Sequence, residues 1–148
     1  MELDAKSWKI LQIVQREGRI SLTDLASRVA LSVPTTSERL KRLEESGVIE
    51  ACCATVSAEE AGYKVMALIG MTTPQSSKAR LITQLQQMPE VLECLHVTGQ
   101  DSFILRVVTC DIRHLERFVG SINHLGETRT STVMSAPIPL RGVEPPCG

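Results

Sequence analysis

Residues 30–34, Ala-Leu-Ser-Val-Pro, hold two helix-spaced segments about four residues apart, and no other feature limits the possible folds as much. Upstream, Ser21 with Asp24 three residues on resembles a capping box and opens a helix through Leu25, Ala26 and Val29. Downstream, Pro34 suits a first helical turn, and the segment then runs to Ser46 and stops at Gly47. A first helix precedes both. Asp4 caps it, Trp8, Ile10, Leu11, Ile13 and Val14 fall at helical spacing, and it runs to about Glu17, where Gly18 ends it. Three short helices with a tight turn between the last two predict a helix-turn-helix at about residues 20–39. The stretch "GVIEACCATVS" that follows is rich in β-branched residues and predicts a short strand or wing.

At about 100° per residue, Val33, Thr36, Leu40 and Leu43 gather on the packing side of the third helix. Opposite lie Thr35, Glu38, Arg42 and Glu45, with Arg39 and Lys41 on the flanks. Short hydroxyl side chains at a helix N-terminus, followed by long basic ones, suit a helix that enters a DNA groove. Ser32, Thr35, Thr36, Ser37, Glu38, Arg39, Lys41 and Arg42 are the predicted DNA contacts. Glu38 repels phosphates but can accept from cytosine N4. Bulk charge gives no help: the chain carries a net −1, and its first 50 residues hold eight basic and eight acidic groups. DNA binding must therefore rest on where the charges sit.

Residues 57–63, "SAEEAGY", are small and polar and predict a hinge. Beyond it the segments "KVMALIGMTT", "SSKARLITQLQQM", "EVLECLHVT", "SFILRVVTC", "DIRHLERFVGSINHL" and "ETRTSTVMSA" alternate between strand and helix patterns. The order is β-α-β-β-α-β, the ferredoxin-like arrangement. The expected architecture is thus α+β: residues 1–56 a winged helix-turn-helix domain, 64–140 a ferredoxin-like domain, and 141–148 an irregular tail. With helices on one face of the sheet, Val65, Ala67 and Ile69 are expected on the other, where a second copy would pack.

Hydrophobic residues make up 43% and charged residues 22%, which describes a globular chain, and no run approaches the roughly 18 apolar residues of a membrane span. The opening "MELDAKSWK" is acidic and amphipathic rather than signal-like, so a cytoplasmic address is expected. Five cysteines (Cys52, Cys53, Cys94, Cys110, Cys147) form no C-x-x-C pair and are expected reduced, with Cys52-Cys53 inert. His96, His114 and His124 are too scattered for a metal triad, and no Ser-His-Asp order, P-loop or dinucleotide fingerprint is present. Neither a metal, a cofactor nor catalysis is expected. "HVTGQD" reads as a tight turn or a ligand loop: Gly99 permits close backbone approach, while Thr98, Gln100 and Asp101 offer a hydroxyl, an amide and a carboxylate.

The stretch "LDAKSWKILQIVQREGRISLTDLASRVALSVPTTSERLKRLEESGVI" resembles the N-terminal domain of the Lrp/AsnC (feast/famine) transcriptional regulators. "MPEVLECLHVTGQDSFILRVV" is similar to that family's effector-sensing, RAM-type domain, and the likeness spans roughly residues 3–140. The family often reads Gly-Asp-Tyr-Asp-Tyr after "VT", where this chain has Gly99-Gln100-Asp101-Ser102-Phe103. The resemblance implies a sequence-specific regulator whose partners are double-stranded DNA, further copies of itself (a dimer, then a tetramer or octamer) and an amino acid or related small effector. It implies an effector site of Thr98, Gly99, Gln100 and Asp101, with Thr130 and Thr132 of the last strand completing the lining between dimers. Two other classes share the scaffold. A siroheme-decarboxylase-like enzyme would need imidazole and cationic groups around a large pocket, and a protein-interaction module would use the winged helix on protein.

Overall fold

A computed structural model of the chain describes residues 2–146. It divides into two compact units, one holding the residues up to Thr55 together with those from Ile138 onward, the other holding Val56–Pro137.

In the first unit α1 spans Ala5–Val14, α2 Leu22–Val29 and α3 Val33–Glu45. Each begins where a short oxygen-bearing side chain accepts an orphan backbone N–H: Asp4 from Ser7, Ser21 from Asp24, and Ser32 from Thr35. The first helix closes about three residues earlier than Gly18 suggested, and a turn through Glu17 carries the chain on. Ile10, Leu11, Ile13, Leu25, Val29 and Leu43 form the core, with Trp8, Val14 and Leu40 packed against it.

The turn between α2 and α3 is set by backbone geometry. Leu31 N–H reaches the Ala26 carbonyl at 3.1 Å and Ala30 N–H the Ser27 carbonyl at 3.2 Å, the paired bonds of a Schellman closure. Its left-handed position, normally a glycine, is Ala30 at φ 53°, a conformation that costs an L-residue about 1–2 kcal/mol. Two residues later Ser32 caps α3, so the closure of one helix leads directly into the start of the next. The short strand expected after Gly47 is absent: residues 51–57 carry no regular secondary structure.

The second unit runs β1 (Val65–Thr72), α4 (Lys78–Leu85), β2 (Val91–His96), β3 (Phe103–Thr109), α5 (Ile112–Ile122) and β4 (Glu127–Thr132), with short 3-10 turns at Gln75–Ser77 and Asn123–Leu125. The sheet order is β2-β3-β1-β4 with antiparallel neighbours, the ferredoxin-like arrangement predicted. Ala67, Ile69 and Met71 pack with Leu105 and Val107 against Leu81, Leu115, Phe118 and Ile122.

That core corrects one expectation. Ala67 and Ile69 face the unit's own helices, and the open face carries Met66, Leu68 and Gly70 of β1 beside Arg106 and Ile104 of β3 and Leu95 of β2. The strand is apolar at odd and even positions alike, so its alternation holds no phase from which the buried face can be read. The described residues of the tail, 141–146, carry no regular structure, but the tail is not free of the rest. From Ile138 onward it belongs with the helical unit, and Gly142–Glu144 lie along α1. Among the described residues no helix is long and apolar enough to cross a membrane.

Candidate nucleic-acid interface and effector loop

The exposed side of α3 begins with Ser32, Thr35 and Ser37 and continues through Glu38, Lys41 and Arg42. The Ser32 and Thr35 hydroxyls share a hydrogen bond of 2.7 Å, which holds both at the helix entrance. Thr36 leaves the predicted contact set. It is fully buried, and its hydroxyl donates to the Ser32 carbonyl at 2.9 Å, so its role is packing.

Every cation of this helix has a carboxylate partner. Arg42 pairs with Glu38 and Lys41 with Glu45, both one turn apart and exposed. Such pairs contribute about 0.3–0.5 kcal/mol each, so an arriving phosphate exchanges them at little cost. Arg39 is held more firmly. Its guanidinium reaches both carboxylate oxygens of Asp4, at 2.8 and 2.9 Å, and the Ser7 hydroxyl at 3.2 Å. In the free protein Arg39 therefore ties α3 to the start of α1, a link between residues too distant in sequence to be foreseen.

The same contacts act on Asp4. The Ser7 backbone N–H above all, then the Arg39 guanidinium and the Ser7 hydroxyl, hold its carboxyl at about 2, below the ordinary 3.8. A depressed folded value means that the stabilisation is complete above the ordinary value and is lost as pH falls through 3.8 towards 2. Trp8, the one tryptophan of the chain, sits on α1 and reports on this unit. In an acid titration of its fluorescence, Asp4→Asn should flatten the transition over that window. An unchanged curve would remove the charge from the account.

In the second unit, residues 97–102 fold back on the end of β1. Val97 N–H bonds the Ser102 carbonyl at 3.1 Å, Ser102 N–H the Met71 carbonyl at 2.7 Å, and the Thr72 hydroxyl the Gln100 carbonyl at 3.3 Å. Gly99 takes φ +113°, a turn open to glycine, and Thr98, Gly99 and Gln100 are exposed at its tip. Asp101 is engaged. Its carboxylate lies over Gly70, where an added Cβ would stand 2.7 Å from Asp101 Cγ, and it pairs with Arg129 of β4. Register puts Arg129 opposite Gly70, on the open face, while Thr130 opposes Ile69 and Thr132 opposes Ala67, both on the helix side. The geometry thus gathers Thr98, Gly99, Gln100 and Asp101, leaves Thr130 and Thr132 on the far side of the sheet, and adds Arg129. The one sequence signal was Gly70 inside an apolar strand, which marks a close approach.

The remaining candidates stay apart. His96 stacks on Phe103 at 5.1 Å, and His114 bridges the Cys110 N–H and the Glu90 carboxylate. Among the described residues no three His, Cys, Asp or Glu side chains gather to hold a metal ion. Cys52, Cys53 and Cys110 are exposed and free, and burial pushes the Cys94 thiol up; Cys147 lies outside the described residues.

Comparison with known proteins places both units. Residues 3–50 match the winged helix-turn-helix DNA-binding family, and residues 66–143 the Lrp/AsnC ligand binding domain. The HTH-type transcriptional regulator FL11 of Pyrococcus furiosus is 32% identical over 89% of this chain and 89% of its own. The leucine-responsive regulatory protein of Rhizobium meliloti is 32% identical, over 99% of this chain and 95% of its own. Among solved structures, transcriptional regulator NMB0573 of Neisseria meningitidis, in complex with L-Met, superposes with a TM-score of 0.87. It is 29% identical, over 95% of this chain and 94% of that one. With a helix-turn-helix whose α3 exposes hydroxyls and cations, and a ferredoxin-like unit carrying a Gly99 loop, this chain belongs to the Lrp/AsnC family of transcriptional regulators.

Proposed function

We propose that the protein is a sequence-specific cytoplasmic regulator that reads an operator with α3, as a dimer, under the control of an amino-acid effector. The observation that carries the reading is the exposed face of α3, with Ser32, Thr35 and Ser37 at the entrance and Lys41 and Arg42 beyond. The hydroxyls and the helix N-terminus meet phosphates, Lys41 and Arg42 exchange their carboxylates for phosphates, and Glu38, once released, can accept from a cytosine. Arg39 positions α3 and contributes to DNA contact only where it leaves Asp4.

One neutral head binds weakly, and two heads on one dimer gain from effective concentration. The open face supports a second copy as the partner: Leu68 is exposed on the inner strand β1 and Leu95 on the edge strand β2, and the Arg106–Glu93 and Arg129–Asp101 pairs share that face. Larger assemblies would follow where dimers meet at the 97–102 loop. The loop tip at Gly99 lets backbone N–H groups approach a carboxylate, and a relative solved with L-Met supports an amino acid as ligand. Because Asp101 is already paired with Arg129, the ammonium needs a further acceptor, which a neighbouring dimer can supply.

Selection of bound fragments from genomic DNA tests the operator reading, followed by titration of the selected site across salt. Arg42→Ala should weaken binding and reduce the salt slope by about one counterion. If affinity and slope are both unchanged, Arg42 does not touch the backbone.

A further inference from the structure

The helical unit contains a recognition contact that the DNA-reading role does not use. Gln12 on the last turn of α1, Gln15 at its C-cap and Arg16 in the turn just beyond stand at i, i+3 and i+4 and form one polar strip. Three consecutive residues of the tail lie along it. The Gln15 side-chain amide pairs with the Val143 backbone in both directions: Nε2 donates to the carbonyl at 3.1 Å, and Oε1 accepts from the N–H at 2.8 Å. An amide used this way imitates an adjacent β-strand. Glu144 then accepts from Gln12 Nε2 and meets Arg16 at 3.4 Å. Gly142 makes the approach possible, since a Cβ there would stand 2.6 Å from Gln15 Oε1 and 3.2 Å from Gln15 Cβ. Val143 shares a groove with Trp8, Leu11 and Val14.

The segment is suited to docking. Pro137, Pro139, Pro145 and Pro146 bracket it, and proline stiffens an extended chain, so less freedom is lost when it settles. Connectivity gives the contact its meaning. The chain leaves the helical unit after Thr55 and returns to it at Ile138, after β4. One connection is permanent. The second holds the helical unit only while Gly142–Glu144 are docked on α1.

We infer that the strip Gln12–Gln15–Arg16 at the end of α1 is a peptide-reading surface whose occupant is the chain's own Gly142-Val143-Glu144, and that the docked strap is a releasable second tether on the DNA-binding unit. Docked, it narrows the orientations of each head, so that two heads of a dimer meet two half-sites together. Released, it leaves each head able to bind but lowers the advantage of having two. The tether role rests on the dimeric DNA-binding reading above.

Arg141 makes docking measurable, because trypsin cleaves the Arg141–Gly142 bond only in a strap that has lifted, and the rate follows the lifted population. In the full chain, Gln15→Leu removes both backbone hydrogen bonds from an exposed position and should speed that cleavage about tenfold. Glu144→Lys, which sets a cation beside Arg16 without touching the helices, should act in the same direction. Equal cleavage rates in the wild type and both variants would overturn docking. Protection lost on dilution would move the occupant to a second copy and overturn the own-chain assignment. For DNA, Gln15→Leu should weaken binding to a two-half-site operator at least threefold and leave a single half-site unchanged; equal effects on both would overturn the tether. Failure of the wild type to bind any DNA would instead count against the reading of α3, while the cleavage assay would still decide docking.

Discussion

Leu68→Asp is expected to yield a monomer in light scattering at concentrations where the wild type, on the proposed pairing of open faces, is a dimer. Leu68 is 38% exposed and lies on the open face of the sheet, with Leu95, 47% exposed, two strands away on β2. In the proposed two-fold dimer each copy would bring its own residue 68 to the interface, so one substitution would add two charges to it. Removing a carboxylate from water without a partner costs several kcal/mol, which is about a thousandfold or more in dissociation constant. In the monomer the same side chain stays in contact with water, so the circular dichroism of the isolated chain should hardly change. A Leu68→Asp protein that remains dimeric would show that the copies meet elsewhere, and the two-headed account of DNA binding would need another interface.

Gly126→Ala should destabilise the second unit strongly, while Gly120→Ala, six residues earlier, should do the reverse. At Gly126 the backbone is extended, so conformation is no obstacle, but an added Cβ would stand 2.6 Å from the Thr72 carbonyl oxygen and 2.7 Å from Thr73 Oγ1. Thr73 Oγ1 is also the buried side-chain atom that lacks a hydrogen-bond partner among the described residues, and the Thr72 carbonyl, as backbone, cannot rotate out of the way. Overpacking of this kind costs about 1–3 kcal/mol, and for a unit of this size the melting temperature moves about 4–8 °C per kcal/mol. Gly120 sits inside α5 with nothing within 4 Å of the added carbon, and there alanine should stabilise by about 1 kcal/mol through helix propensity. Thermal melts of the two variants should therefore shift in opposite directions. A Gly126→Ala protein as stable as the wild type would mean that the β1 and β4 ends can separate freely.

The contrast between these positions reflects which parts of the structure the sequence could reveal. Asp4, Ser21 and Asp111 cap helices because the capping oxygen and the backbone N–H that donates to it lie within three residues, and such signals are local. The order of strands and helices was legible for the same reason. The phase of β1 was not, since Met66 and Leu68 are as apolar as Ala67 and Ile69, and only the positions of α4 and α5 decide which set is buried. Pairings across long stretches of chain were equally hidden. Arg39 finds Asp4, Arg129 finds Asp101 over Gly70, and Glu144 finds Gln12 only after the fold brings them together. Each of these engages a residue in a contact its local pattern did not suggest: Arg39 holds Asp4, Asp101 holds Arg129, and Glu144 of the irregular tail holds Gln12.

The self-neutralised surface of α3 has a consequence for how such a protein searches a genome. Random DNA attracts proteins chiefly through unpaired cations, and competing sites number about a million or more. On the proposed reading of α3, Glu38 and Glu45 would stay beside the DNA when Arg42 and Lys41 turn to phosphates, so this face would attract random sequence only weakly although each exchange is cheap. Residence lengthens only where base edges offset the exchange of partners. On that reading the head would give up speed of capture and in return would seldom be sequestered by irrelevant sequence, which would leave more copies free for operators.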